Sequence, residues 1–401
     1  MAVLKLATIA CVTLLVSAAA DTLPRVFLLD GQALAGTRAK VQSGDPALSV
    51  PMAALRTVAD AALSAGPFSV MDKPFTPSSG DKHDYMSVGP YWWPDPSKKD
   101  GLPYIRRDGE VNPDRGKYDN VGMGAMARNV AILAQAYWFT GEEKYAEHAA
   151  RLLRAGFLDE ATRMNPNLKF GQAVPGREEG RGVGIIDTAG LPALLDAVAL
   201  LDGSKSWTSS DQAGLVKWFK EYTTWLTTHE YGIDESRAKN NHATWYDVQV
   251  ATFALFTGDD ALAKKVLSNV GKERIATQIA PDGSQPEELA RTNSYSYSVM
   301  NLRGFFDLAR LGEHVGVDQW QFKTEDGRSI RAALDYILNH AFERGKWPQQ
   351  NLKTIVPRPL LPMVWRAAQV YKDGGYAEWL TKLTKNEVWP SGADSLIYMT
   401  P

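Results

Sequence analysis

The stretch "NVGMGAMARNVAILAQAYWFTGEEKYAEHAARLLRAGF", Asn120 to Phe157, decides the fold of this 401-residue chain. Apolar residues recur in it at helical spacing, first over residues 120–139 and again after Gly141. A glycine directly after a helix suits the left-handed conformation that ends many helices, and an acidic residue such as Glu142 suits the first turn of the next helix. The stretch therefore predicts two helices joined by a short turn.

The same pattern returns along the chain, for example where "VQVATFALF" is followed by Thr257-Gly258-Asp259 and another apolar-periodic run. Strand-like alternation is scarce. Successive antiparallel helix hairpins predict an all-α fold, a single α/α toroid in the form of an incomplete barrel, with an α-solenoid as the alternative because no strict repeat period is present. Further helices are predicted near 47–66, 188–202, 210–229, 285–311, 327–343, 359–373 and 375–385.

Bulk composition places the chain among ordinary globular proteins. Its hydrophobic content is 44% and its charged content 22%. A formal net charge of −2 gives no general reason to expect a nucleic-acid partner. We expect a monomer of one catalytic domain.

The N-terminus, "MAVLKLATIACVTLLVSAAAD", has the layout of a secretory signal. One lysine precedes an apolar run that is shorter than the ~20 residues of a membrane span, and small residues follow up to Ala20. We therefore predict a signal peptide over residues 1–20, a catalytic domain over residues 21–401, and a periplasmic or secreted protein without a membrane span after processing. The chain's one cysteine, Cys11, lies in the signal, so the mature chain has neither disulfides nor a catalytic thiol.

A long segment from Met71 to Asn120 interrupts the helical pattern. It is rich in proline, glycine and aspartate and has no sustained periodicity. Disordered segments are poor in aromatic residues, whereas this one is rich in them, so we expect it to be an ordered loop that covers the cleft of the toroid. Its aromatic residues include Tyr85, Tyr91, Trp92, Trp93, Tyr104 and Tyr118.

Within that loop, "YWWPDP" places Trp92 and Trp93 side by side. One interpretation is that they plug the open end of the helical ring. The other is that they bind substrate, because an indole face can stack on the C–H face of a sugar ring.

A second polar cluster, "KNNHATWYDVQ", opens the apolar helix that begins near Asn241. One asparagine of Asn240 and Asn241 suits an N-cap, and His242 alone is more often a satisfied surface histidine. Two asparagines and a histidine exceed what one cap needs. Helical spacing places Trp245 one turn after His242. No second histidine, cysteine or carboxylate stands at metal-ligand spacing, so we expect no metal and no cofactor.

The third cluster, "PDGSQPEELARTNSYSYSVMNL", follows a turn with a helix start. Arg291 and Tyr295 are four residues apart and share a face if one helix continues through them. Tyr297 comes near Arg291 only if the helix is interrupted. The plainer interpretation is an ordinary helix whose Arg291 pairs with Glu287 or Glu288.

Together, these asparagine, histidine, arginine and tyrosine residues are the types that β-elimination at a uronic acid requires. The C5 proton is too weakly acidic while the neighbouring carboxylate is charged, and donors that offset this charge stabilise the enolate-like transition state. A tyrosinate or a neutral histidine can then take the proton, and a tyrosine hydroxyl can protonate the departing glycosidic oxygen. A nearby arginine favours tyrosinate, which predicts a lowered tyrosine pKa.

"YWWPDP", "NNHATWYDVQ" and "DGSQPEELARTNSYSYS" resemble the alginate lyase superfamily of α/α-toroid polysaccharide lyases over roughly residues 50–370. The likeness is greater to the branch called polysaccharide lyase family thirty-eight than to family five. It implies that the pair Asn241 and His242 binds and neutralises the substrate carboxylate, and that Tyr297, assisted by Arg291, transfers the protons. Family five has a longer Tyr-His-Asn-Tyr pattern, so Tyr295 is the reserve for this role.

We therefore predict an exported lyase that cleaves an anionic β-1,4-linked uronan, with mannuronate-rich alginate as first substrate and glucuronan as second. Its further substrate-binding residues are predicted to be Trp92, Trp93, Glu235, Asn240, Trp245 and Tyr295, with Glu235 supporting His242. The rivals are a hydrolase, which needs two carboxylates across the scissile bond and could draw on Glu287, Glu288 and Asp247, and a non-catalytic uronan-binding protein that uses the tryptophan loop.

Overall fold

The computed structural model describes residues 23–385 and 392–398, and the predicted signal peptide, residues 1–20, lies outside them. Helices dominate the described chain and strands are few and short. The strands are β1 (Met86–Val88), β2 (Trp92–Trp93), β3 (Ile105–Arg106) and β4 (Phe170–Ala173). The α-helices are α1 (Gly31–Gln42), α2 (Ser49–Ala62), α3 (Asp119–Thr140), α4 (Glu143–Leu153), α5 (Leu191–Ala199), α6 (Ser209–Thr228), α7 (Glu230–Ser236), α8 (Asn241–Thr257), α9 (Asp260–Val270), α10 (Ala276–Gln278), α11 (Pro286–Leu289), α12 (Ser294–His314), α13 (Ile330–Leu338), α14 (Leu361–Tyr371), α15 (Gly374–Thr384) and α16 (Ser395–Tyr398).

The helices form the predicted α/α toroid. Helix α3 packs on α4 and α5, α8 packs on α6, α9 and α12, and α14 packs on α15. Helix α8 is buried on almost every side, as expected of an inner helix, whereas α9 buries a single stripe. The stretch Gly182–Ala199 is long and apolar enough to cross a membrane by composition, but it lies largely inside the ring, as core helices do.

The turns between hairpin helices have the predicted geometry. Gly141 and Gly258 follow α3 and α8 in the left-handed conformation, with φ of 70° and 82°. Asp259 then caps α9, because its side chain accepts the backbone N–H of Leu262 at 3.0 Å. The sequence pattern is thus confirmed at both hairpins.

The predicted loop is ordered by contacts with the ring. Lys73 forms a buried ion pair with Asp119 at the start of α3, with the nitrogen and oxygen 3.0 Å apart. The Tyr85 hydroxyl donates to the Asp187 carboxylate at 2.9 Å. Strand β1 pairs with β4 in parallel, and β2 pairs with β3 in an antiparallel ribbon. These contacts hold the segment against the N-terminal ends of inner helices.

The prediction of one helix near 285–311 is wrong. Helix α11 ends at Leu289 and α12 begins at Ser294. Between them the backbone bonds to another segment instead of continuing the helix, since the Thr292 carbonyl accepts the Leu352 N–H at 3.1 Å and Asn293 bridges Asn351. The interruption turns residues 290–293, which form the linker between α11 and α12, toward the loop.

Candidate active site

His242 stands on the first turn of α8, at its N-terminal end. Asn240 caps this helix, its side-chain oxygen accepting the His242 backbone N–H at 3.2 Å. The His242 Nδ1 atom lies 2.7 Å from Oε1 of Glu235 on α7. Because a carboxylate can only accept, Nδ1 carries the proton in this contact, which leaves Nε2 for a ligand. The predicted contact between Glu235 and His242 is therefore present, and it fixes the ring.

Glu235 reaches His242 from the interior of the protein. Its side chain is 1% exposed. Burial raises the pKa of Glu235, and the bond to His242 opposes this rise. A histidine held by a buried carboxylate is oriented for proton transfer or for binding an anion.

Asn241 is buried and is held by Glu288. Its backbone N–H donates to Oε1 of Glu288 at 2.7 Å, and its side-chain amide donates to both carboxylate oxygens at 3.0 and 2.9 Å. Burial raises the pKa of Glu288, while the bonds from Asn241 and the nearby charges of Arg291 and His242 favour its ionised form. Glu288 belongs to the third sequence cluster and Asn241 to the second, so this contact joins the two clusters into one site.

Arg291 and Tyr297 come together because the helix is interrupted between them. Nη2 of Arg291 donates to the Tyr297 hydroxyl at 2.9 Å, and the guanidinium carbon lies 3.8 Å from the centre of the Tyr297 ring. Arg291 does not pair with Glu287 or Glu288, as the plainer interpretation of the sequence expected. Its ion pair is with Asp108 of the loop, at 2.8 Å.

The hydroxyl of Tyr297 also bonds to the hydroxyl of Tyr91 in the loop, at 2.6 Å. Burial is the main cause that raises the pKa of Tyr297 above its ordinary value, and Tyr91 adds to it, while Arg291 acts in the opposite direction. The expectation of a lowered tyrosine pKa is therefore wrong for the free protein. Tyr297 is a phenol in this state because burial outweighs the arginine.

The prediction that Tyr295 binds substrate, or replaces Tyr297, does not agree with the structure. Tyr295 is 2% exposed, and its hydroxyl donates to the Val356 carbonyl at 2.7 Å. Its ring packs edge-on against Phe342 and Trp347. Two residues of an α-helix span about 200°, so Tyr295 and Tyr297 point to opposite sides of α12. Nor does Tyr295 share a helical face with Arg291, since the helix is broken between them.

Trp245 likewise belongs to the core rather than to the site. It is 6% exposed, and its indole N–H donates to the Met300 carbonyl of α12 at 3.2 Å. It lines an open pocket of about 800 Å³ between α5, α12 and α14, and that pocket is not bordered by Tyr91, His242 or Tyr297 in the described chain. One turn of helix beyond His242 is enough to carry the side chain into the packing between α8 and α12.

Both predicted tryptophans are half-buried in the antiparallel ribbon of the loop. The guanidinium carbons of Arg177 and Arg181 lie 5.3 and 5.8 Å from the Trp92 ring centre, and that of Arg107 lies 5.2 Å from Trp93. Each indole therefore makes cation–π contacts, in which a guanidinium is attracted to the face of the ring. The aromatic surface of the loop is therefore accompanied by positive charge, from Arg107 of the loop and from Arg177 and Arg181 after β4.

The carboxylates needed by a hydrolase are used elsewhere. Asp247 forms a buried ion pair with Arg274 at 2.7 Å, Glu288 holds Asn241, and Glu287 is exposed. No group of three histidine, cysteine, aspartate or glutamate side chains that could hold a metal occurs in residues 23–385 and 392–398.

Three residues of the site were not predicted as such: Tyr91, Asp108 and Glu288. Tyr91 stands in the quoted "YWWPDP", where the two adjacent tryptophans are the stronger signal for a binding surface. Asp108 lies 183 positions before Arg291, and nothing in its local sequence marks the pairing. The sequence around Glu288 indicates only a partner for arginine or an acid for a hydrolase.

Comparisons with known proteins agree with this geometry. The model of the family described as alginate lyase matches residues 69–347. The crystal structure of an alginate lyase from Bacteroides ovatus superposes with a TM-score of 0.89 and 38% identity, covering 94% of this chain and 100% of that one. A search of curated proteins gave no significant match.

A more distant likeness shows the fold alone. Alginate lyase A1-III from Sphingomonas species A1 superposes with a TM-score of 0.59 and 18% identity, covering 94% of this chain and 98% of that one. A histidine-to-alanine variant of that enzyme, complexed with a tetrasaccharide, gives a TM-score of 0.59 and 16% identity, with coverage of 95% and 98%.

Proposed function

The chain belongs to the alginate lyase family and is a polysaccharide lyase; we propose that it cleaves alginate, mannuronate-rich segments first, by β-elimination. The tetrasaccharide complex of the Sphingomonas enzyme supports an oligosaccharide-binding role for the cleft on this fold. Export to the periplasm or the medium, a monomeric state and membership of family thirty-eight rather than family five stay predictions from the sequence.

One observation carries the proposal. The Tyr297 hydroxyl accepts a hydrogen bond from Arg291, and His242 is oriented by Glu235. The two are joined through Glu288, three residues before Arg291, which accepts the amide of Asn241, the residue before His242. A phenol that is paired with a cation and an imidazole that is fixed by a carboxylate provide a proton-transfer group and a partner for a carboxylate. Both are needed to break a bond next to a uronate.

The reaction assigns one task to each side of the site. His242 holds the uronate carboxylate when its Nε2 atom carries a proton, which lowers the cost of the negative charge that develops when the C5 proton leaves. Asn241, which the sequence assigned to the same task, is buried and donates its N–H groups to Glu288, so it supports the site from behind. The electron pair of the C5–H bond then forms the C4=C5 double bond as the C4–O4 bond breaks. The Tyr297 hydroxyl supplies a proton to O4, so the products are a new reducing end and an unsaturated uronate.

The group that takes the C5 proton depends on the sugar. Because Tyr297 is a phenol in the free protein, it acts as a base only after it has lost its proton, which Arg291 favours. Nε2 of His242 has its lone pair available when Nδ1 donates to Glu235. Mannuronate and guluronate differ in the ring face that carries the C5 proton, so the two bases serve the two sugars unequally.

The test is to incubate the protein separately with polymannuronate, polyguluronate and glucuronan, and to follow the ultraviolet absorbance of the unsaturated product. We expect the highest initial rate with polymannuronate. A higher rate with glucuronan would reassign the substrate. New reducing ends without ultraviolet absorbance would show hydrolysis and refute elimination.

A further inference from the structure

Asp108, at the turn after β3, contacts two residues of the linker between α11 and α12, Arg291 and Thr292. Its Oδ1 atom accepts Nη2 of Arg291 at 2.8 Å and Nη2 of Arg106 at 2.8 Å. Its Oδ2 atom accepts the Thr292 hydroxyl at 2.9 Å and lies 3.4 Å from Nε of Arg291. One carboxylate therefore contacts both the Nε and Nη2 edge of Arg291 and the hydroxyl of Thr292.

The neighbouring glycine shows that this contact requires close approach. Gly109 has φ of +83°, and a Cβ atom built on it would lie 2.5 Å from the Thr292 hydroxyl oxygen. A side chain at this position would therefore push the turn away from the linker. The backbone of the loop is shaped to bring Asp108 onto Arg291.

The ion pair limits what Arg291 can bind. Its Nε and Nη2 edge faces Asp108, and the same Nη2 atom also donates to Tyr297. Carboxylates are recognised best when two parallel N–H groups of a guanidinium are free to meet them. In the described structure Nη1 is the guanidinium nitrogen without a hydrogen-bond partner, so that paired geometry is not open to a substrate carboxylate.

We infer that Asp108 is a positioning residue: it holds the Arg291 guanidinium on the Tyr297 hydroxyl and so commits this arginine to the proton-transfer tyrosine rather than to the substrate carboxylate. Neutralisation of the uronate then rests on His242, since the N–H groups of Asn241 donate to Glu288. The inference depends on the proposed lyase function for its kinetic consequences, but the arrangement of charges it describes belongs to the free protein.

The charge of Asp108 also acts on Tyr297. The groups that face this hydroxyl are Arg291 from the linker and Tyr91 and Asp108 from the loop, with Glu288 behind the arginine. Asp108 opposes the effect of Arg291 and adds to the rise in the pKa of Tyr297 that burial and Tyr91 cause. Removing its charge while keeping its shape should therefore favour tyrosinate.

The kinetic experiment compares Asp108→Asn, Asp108→Ala and the control Asp114→Asn. Asp114 is an exposed residue of the same loop, paired with Lys117. On polymannuronate, Asp108→Asn should move the rising limb of the pH–rate profile to lower pH by about one unit, as expected for loss of a nearby like charge. Asp108→Ala should lower kcat on the order of 100-fold with little change in KM, because the guanidinium loses its position. Asp114→Asn should match the parent.

A titration without substrate keeps the inference testable whether or not the substrate is right. Tyrosinate absorbance is recorded against pH for the parent, Tyr297→Phe, Asp108→Asn and the double variant. Subtracting the titration curve of each Tyr297→Phe protein from that of its Tyr297 counterpart isolates the absorbance of this tyrosine. In the Asp108→Asn background, Tyr297 should ionise at lower pH than in the parent. An unchanged titration refutes the inference, as does a parental pH profile with parental kcat in both Asp108 variants. A parent that gives no unsaturated product refutes the proposed function alone.

Discussion

Replacing Tyr297 with phenylalanine removes one hydroxyl group from the centre of the site. The hydroxyl takes part in two hydrogen bonds, to Arg291 at 2.9 Å and to Tyr91 at 2.6 Å. Each bond contributes about 1 kcal/mol to stability, and the partially exposed partners can bond to water instead, so the variant should fold. The loss of a group that transfers protons is larger, about 10²–10⁴-fold in rate for one general acid or base. Because Tyr297 serves as acid and, on mannuronate, also as base, we expect a loss at or above the upper end.

Tyr295→Phe is the matched control on the same helix. It also removes one hydroxyl, here one that donates to the Val356 carbonyl. Val356 is 43% exposed, so its carbonyl can bond to water instead, and this variant should lose about 1 kcal/mol of stability, no more than Tyr297→Phe does. Its rate should stay within a few-fold of the parent. The two variants are therefore similar in stability and differ in catalysis.

The assay is the initial rate of unsaturated product from polymannuronate at saturating substrate, with circular dichroism and thermal unfolding on the same preparations. A folded Tyr297→Phe protein with a near-parental rate would refute the mechanism. An inactive but folded Tyr295→Phe protein would show that the orientation of α12 described above is wrong.

Four further outcomes are expected. His242→Ala should lower the rate on polymannuronate and polyguluronate unequally, since it removes a carboxylate-binding group on the sugar for which Tyr297 is the base and removes the base itself on the other; equal losses would contradict the division between the two bases. Trp92→Ala and Trp93→Ala should each weaken polymer binding by about 1–3 kcal/mol by calorimetry, and unchanged affinity in both would mean that the indoles only pack. Dialysis against EDTA should leave the rate unchanged, and a loss that calcium or zinc restores would overturn the assignment of charge neutralisation to side chains. Burial raises the pKa of Asp307 to about 6, above the unfolded value of about 3.9, so ionising this carboxyl costs stability as the pH rises from about 3.9 to about 6. Asp307→Asn should therefore raise Tm relative to the parent more at pH 8 than at pH 4. A larger increase at pH 4 would refute the raised pKa.

The sequence by itself determined the helical ring and the residue types of the site. Apolar spacing with a glycine after each helix predicted the hairpins at Gly141 and Gly258, because these signals are local and the backbone responds to them locally. Helix α1 was not predicted, since it buries little more than Leu34 and Thr37 and so shows no clear apolar stripe. The cluster of asparagine and histidine at the start of α8 was visible because its excess of polar groups exceeds what a cap needs.

Only the tertiary structure decided which of these residues meet. Periodicity placed Tyr295 beside Arg291, but backbone pairing of residues 292–294 with residues 350–352 breaks the helix and brings Tyr297 there instead. The pairing of Asp108 with Arg291 depends on the path of a long loop over the ring. The protonation state of Tyr297 depends on burial, which outweighs the nearby arginine. These are contacts between distant segments, and no local spacing encodes them, because their free energies arise only once the whole ring has closed.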